Sequence, residues 1–316
     1  FPTRRSSDLL LPLDEVNSAD QDVYRMGSGG GFYYLFGQVN AVPAAFNTGS
    51  LRPLERLTST MAEECPEDLL LFVTLSSHDG RSVQGIGVDR PDGHVSIRAF
   101  FQLQKAVEAR GGKVKYRSVQ PGTIPKGTFE KACGELGIDT DAFADLFSRD
   151  GEEYRLRDPI PEKSGFQDAV RRIVEGSAGH VASKAAGRAP GDAAGKAAGS
   201  TPGKAAEGAA GHVTDEETVR AVIDFLTDWV IIGRAPYELC CTTRSAFDPA
   251  GPDGRPLEPA EEARRVATAQ IFVLSFGQSV PAVYFNDLLG ISNDTEGYKK
   301  SGRPRDLNRH KSHIDE

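Results

Sequence analysis

Cysteine is scarce in this chain of 316 residues, and none of the four, Cys65, Cys133, Cys240 and Cys241, stands in a CxxC spacing. Neighbours such as Cys240 and Cys241 rarely bridge, so reduced thiols in a cytoplasmic protein are expected. Long apolar runs are missing too. None approaches the roughly 18–20 residues that span a bilayer, which excludes an integral membrane protein. Excess positive charge is also absent: the formal net charge is −8, which argues against nucleic acid as the main partner. The first residues are not Met-initiated and lack the apolar core and cleavage site of a signal peptide. Residues 1–9 (FPTRRSSDL) resemble one reading frame of a short-read sequencing adapter and are set aside as an artefact. The end, His310 to Glu316, stops without a capping element, and the chain is read as an internal fragment.

What is present suffices for a sizeable buried core in one large domain or two smaller ones. Leu9 to Leu13 is a short apolar run of the length of a buried parallel strand, ending in Asp14-Glu15-Val16-Asn17. Gly27 to Gly31 reads as a glycine-rich loop and Phe32 to Phe36 as an aromatic strand. Leu51 to Glu64 has helix composition, with a cap among Asn47 to Ser50 and a stop at Cys65-Pro66. Leu69 to Leu75 (LLLFVTL) is the clearest buried strand and ends at Ser76-Ser77-His78-Asp79-Gly80; Val280 to Phe285 (VPAVYF) repeats the pattern. Pro259 to Phe276 reads as a helix. Alternating strands and helices with polar residues at strand ends predict an α/β barrel or a doubly wound sheet.

The region between Gly80 and Tyr237 is too long for a connection. Residues 96–175, with helix-like stretches at Phe100 to Ala109 and Thr128 to Leu136, read as an inserted subdomain. Residues 176–213 repeat SKAAG, GDAAG, GKAAG and GKAAE and read as a disordered Ala/Gly/Lys-rich linker, because they hold too few large apolar side chains to offset the entropy of ordering. His180 and His212 are taken as chance spacing within it rather than as a metal pair, and no metal or cofactor is expected. Residues 214–233 predict an amphipathic helix opened by a capping box, with Trp229 in the core.

Carboxylates at strand ends often do no more than solvate a rim. The ordered set says more: DEVN (14–17), SHDG (77–80), PYEL (236–239), VPAVYF (280–285), NDTE (293–296) and GRPRDLNRH (302–310). This series resembles the sucrose-phosphorylase-like branch of the α-amylase superfamily, glycoside hydrolase family 13, which includes sucrose, glucosylglycerate and glucosylglycerol phosphorylases. The likeness covers about residues 10–125 and 214–310, with HDG and GRxxxxNRH its most specific parts.

The resemblance implies the C-terminal half of a (β/α)8 barrel. Strands five to seven would lie in 10–95, the remainder to strand eight in 214–290, and a post-barrel loop in 291–316. It implies retaining transfer of glucose from an α-glucoside to inorganic phosphate through a covalent glucosyl-enzyme. Glu15 matches the general acid/base and Asp79 the transition-state stabiliser. His78 and Arg309 match sugar-binding positions, and Tyr237 and Glu238 match a mobile acceptor-side loop. The nucleophile of the family is an aspartate at the end of the fourth strand, a segment that would precede residue 10, so this chain by itself is expected to be inactive. Glu238 stands where sucrose phosphorylases usually carry glutamine. A hydrolase or transglycosidase of the same superfamily, and a non-catalytic truncated product, stay open as alternatives.

Overall fold

The computed structural model describes residues 13–14, 32–66, 69–84, 87–90, 93–157, 162–186, 215–251, 254–276 and 279–311. Glu15 and residues 1–9 lie outside this set, as do residues 187–213. The chain forms two compact units, Phe1–Gln120 with Gly233–Glu316, and Pro121–Ile232.

The first unit opens with β1 (Leu13–Asp14) and β2 (Phe32–Leu35), then α1 (Gly37–Thr48) and α2 (Arg52–Glu64). β3 (Leu70–Val73), β4 (Arg81–Ser82), α3 (Ile97–Ala109) and β5 (Lys113–Ser118) follow. α1 carries no periodic polar face, and every residue from Gly37 to Ala45 is buried. Its Pro43 has no N–H for the carbonyl of Val39 one turn back, and the buried guanidinium of Arg81 donates to that carbonyl instead. Gln38 and Asn40 are fully buried and donate to the carbonyls of Thr74 (2.8 Å) and Ser82 (2.7 Å). α1 is thereby tied to the loop after β3.

The second unit holds β6 (Thr123–Pro125), α4 (Lys126–Leu136), β7 (Phe147–Asp150), β8 (Glu153–Leu156), α5 (Lys163–Ala186) and α6 (Glu216–Thr227). Its antiparallel sheet has the order β6-β8-β7. Phe129 of α4 is fully buried among Phe143, Phe147 and Tyr154, with ring centroids 4.5–5.5 Å away. The helix expected from Thr214 starts one residue later. Asp215 rather than Thr214 is the cap, because its carboxylate accepts from both the N–H (3.0 Å) and the hydroxyl (2.9 Å) of Thr218. The helix ends in a π turn, Asp228–Ile232, and Trp229 is buried as expected.

The chain returns to the first unit with β9 (Arg234–Cys240), α7 (Pro259–Leu274) and β10 (Ser279–Pro281). The VPAVYF strand is shorter than its sequence suggests, and a helical turn starts at Phe285. Two sheets result. One is all parallel, in the order β1-β2-β3-β10, with Leu35 level with Val73 and Phe72 level with Val280. The other is antiparallel, in the order β4-β9-β5. The fold is mixed α/β. In the parallel sheet Tyr33, Leu35, Leu71 and Val73 are buried, whereas Tyr34 and Phe72 on the opposite face are partly exposed. All four cysteines are free, and burial pushes the Cys133 thiol up to about 12. No helix among the described residues is long and apolar enough to cross a membrane.

Candidate functional site

β3 delivers the chain to Ser76-Ser77-His78-Asp79 just past its C-terminal end, within the first unit. A 3₁₀ turn, Pro304–Asn308, reaches the same place from far along the sequence. Three residues per turn put Arg305 and Asn308 on one face, and both address this loop. The Asn308 side chain donates to the carbonyls of Ser77 (3.1 Å) and Asp79 (2.8 Å), and its own carbonyl accepts from Asn286 Nδ2 (3.0 Å) and Tyr284 Oη (3.3 Å). Asn308 is 1% exposed, so it clamps the loop backbone from inside the protein.

Two arginines then meet one carboxylate oxygen. Arg305 Nη1 lies 2.8 Å and Arg309 Nη2 3.0 Å from Asp79 Oδ1. Arg309 Nε also donates to the His78 carbonyl at 2.7 Å. His78 itself is 70% exposed, with Nε2 3.7 Å from Asp79 Oδ1. The structure therefore brings His78, Asp79 and Arg309 together.

Tyr237 and Glu238 correct an expectation: they stand inside β9, not on a mobile loop. Pairing on both sides removes the freedom of a loop, since Glu238 is level with Ser82 of β4 and with Lys115 of β5. Glu238 is 3% exposed and its oxygens are fully engaged. Oε1 accepts from Arg305 Nε (2.8 Å) and the Gly80 N–H (3.0 Å), and Oε2 from Arg305 Nη2 (3.0 Å) and Lys115 Nζ (2.9 Å). Tyr237 packs under the Lys115 ammonium, 5.4 Å from ring centroid to Nζ. Sequence reasoning passed over Arg305, Asn308, Lys115 and Gly80. The first two lay within the GRPRDLNRH motif; Lys115 had no signal short of the strand register.

Burial pushes the Glu238 carboxyl up, but hydrogen bonds and charge from Arg305 and Lys115 outweigh it and hold the group below the usual glutamate range. The hydrogen bonds that Arg305 donates to Glu238 in turn push the guanidinium above its ordinary value. A folded pKa below the unfolded value of about 4.3 makes a contribution to stability that is complete above that pH and lost as pH falls through the folded pKa. Urea unfolding between pH 3 and 6 is expected to show stability falling below about pH 4.3, and falling less steeply in Glu238→Gln. Equal slopes would contradict the pairing.

Gly80 has a steric reason to be glycine. A Cβ there would stand 2.1 Å from Glu238 Oε1 and 2.5 Å from its Cγ. Gly80→Ala is expected to cost about 1–3 kcal/mol by overpacking, measured by urea unfolding. A change below about 0.5 kcal/mol would show that the carboxylate moves aside freely.

A cavity of about 230 Å³ opens elsewhere, lined by residues that include Arg52, Arg56, His94 and Arg98. No carboxylate lines it among the described residues. Glu15 follows β1 directly in the chain but lies outside the described residues. No group of side chains suited to hold a metal ion occurs among the described residues.

No protein-family model matches the chain. A curated relative, the glucosylglycerate phosphorylase of Allomeiothermus silvanus, is 42% identical over 79 residues, 25% of this chain and 14% of that protein. The solved structure of sucrose 6F-phosphate phosphorylase from Thermoanaerobacter thermosaccharolyticum aligns with 98% of this chain and 36% of its own, at 14% identity and a TM-score of 0.49. The chain thus spans about a third of that protein, and its match to the curated relative covers about a seventh. Over the matched stretch the chain is similar to a glucosylglycerate phosphorylase, in keeping with the resemblance that its motifs bear to the sucrose-phosphorylase-like branch of the α-amylase superfamily.

Proposed function

We infer that this chain supplies strands five to eight of a (β/α)8 barrel in a retaining glycoside phosphorylase. The enzyme transfers glucose from an α-glucoside such as sucrose or glucosylglycerate to inorganic phosphate, giving α-glucose 1-phosphate. The observation that carries the reading is Asp79, one carboxylate past the C-terminal end of a parallel strand, held between Arg305 and Arg309. Barrel active sites gather at that end of the strands. Asp79 grips sugar hydroxyls and offsets the positive charge that builds on the ring, and Arg309 and His78 line the same glucose pocket. Glu15, directly after β1, gives a proton to the leaving oxygen and takes one from the acceptor. The nucleophile comes from the preceding strand of the whole enzyme, so the chain alone is inactive.

The sheet supports the barrel reading. Its four strands lie in sequence order, all parallel, with helices between β2 and β3 and between β3 and β10, and among the described residues β1 and β10 are its edges. Parallel sheets are covered on both faces and a barrel leaves no edge. Here Tyr34 and Phe72 are partly exposed, and Val280, Val283, Phe285, Leu288 and Leu289 are exposed on and just beyond β10. A complementary half barrel would cover these surfaces. The curated relative, 42% identical over its matched stretch, is a phosphorylase.

The stereochemical outcome tests the reading. Nuclear magnetic resonance of the products is expected to show the α anomer of glucose 1-phosphate from the full-length polypeptide, a phosphate ester at the anomeric carbon that keeps its configuration. The β anomer would overturn the two-step displacement.

A further inference from the structure

We propose that Glu238 is a positioning residue that sets the orientation of Asp79 through Arg305, rather than a contact for the acceptor. The proposal rests on the assignment of Asp79 above and adds a role for residues that the assignment does not use. Three observations carry it. Glu238 is buried, and both its oxygens are taken by protein donors, which leaves it no face for a substrate. Arg305 is gripped as a fork: Nε and Nη2 on the two oxygens of Glu238, with only Nη1 turned to Asp79. A planar guanidinium held at two corners fixes where its third corner points. Finally, Asp79 Oδ1 is shared between Arg305 and Arg309, so the direction of one arginine decides how the carboxylate divides between them.

Glu238 is itself anchored from the sheet. Lys115 stands level with it across β5 and β9, and the Gly80 N–H donates from the loop that carries Asp79. Strand register thus passes through one carboxylate and one guanidinium to the site. The charge is balanced locally as well. Glu238 and Asp79 face Lys115, Arg305 and Arg309, so Glu238 presents no uncompensated negative charge to an incoming anion.

Two measurements test this. The first needs no turnover and uses the 316-residue chain: nitrogen-15 resonances of arginine Nε–H groups and carbon-13 resonances of aspartate carboxyls. Glu238→Gln is expected to abolish the slowly exchanging Arg305 Nε–H signal and to shift the Asp79 carboxyl. Arg305→Lys, which keeps the charge but cannot fork, is expected to shift Asp79 likewise. An unmoved Asp79 signal in both variants overturns the proposal, whatever the enzyme acts on. The second uses the full-length polypeptide and whichever glucosyl transfer it performs. Glu238→Gln is expected to lower kcat by roughly 10–100-fold, since a misplacement of about 1 Å costs that much, and to leave the KM for donor and for phosphate within about twofold. A rise in the phosphate KM with kcat intact would make Glu238 an acceptor contact and overturn the proposal. If wild type transfers no glucose while the Asp79 signal responds, the phosphorylase reading falls and the positioning role stands.

Discussion

Asp79→Asn in the full-length polypeptide is expected to lower turnover by at least about a thousandfold, the scale at which removal of one preorganised electrostatic group reaches the upper end of its effect. The substitution keeps volume and leaves an oxygen that can accept from Arg305 Nη1 and Arg309 Nη2, now 2.8 and 3.0 Å from Oδ1. The fold should therefore survive. What disappears is the charge. A developing oxocarbenium ion would then face two guanidinium groups with no carboxylate between them, and the interaction that strengthens toward the transition state becomes repulsive. Initial rates, with thermal melting to confirm folding, check this. Turnover within tenfold of wild type would remove Asp79 from the chemistry.

Glu15→Gln should produce a loss that depends on the leaving group. Natural α-glucosides expel a poor alkoxide and need a proton during bond cleavage; general acid catalysis of this kind contributes about 10²–10⁴-fold. α-Glucosyl fluoride leaves without that help. The variant is expected to lose two to four orders of magnitude on sucrose or glucosylglycerate, and far less on the fluoride. Equal losses on both would mean that Glu15 only binds.

Much of this arrangement was legible in the residues themselves. Leu69 to Leu75 announced β3 because it is apolar but for Thr74, and HDG after it marked the loop that meets Arg305 and Arg309. GRPRDLNRH marked the second half of the same cluster. α1 was not legible. It is buried all round, so it shows no amphipathic period, and it carries Gly37 and Pro43, which argue against a helix locally. It exists because Arg81, Thr74 and Ser82 satisfy what its sequence leaves open. β9 was misplaced as a loop. The loop placement came from the family resemblance alone, whereas the structure gives Glu238 the partners that make its burial tolerable: Lys115 across the strand and Arg305 from the distant 3₁₀ turn. Buried charges are kept when paired and hydrogen-bonded, and such pairing over long sequence separation has no local signature.

The measurement that tests the account most directly is the dependence of product on phosphate. The full-length polypeptide is supplied with sucrose or glucosylglycerate, with and without inorganic phosphate, and both glucose 1-phosphate and free glucose are quantified. The account predicts glucose 1-phosphate only when phosphate is present, with little free glucose in either case. Free glucose released at the same rate with and without phosphate would make the enzyme a hydrolase and contradict the account.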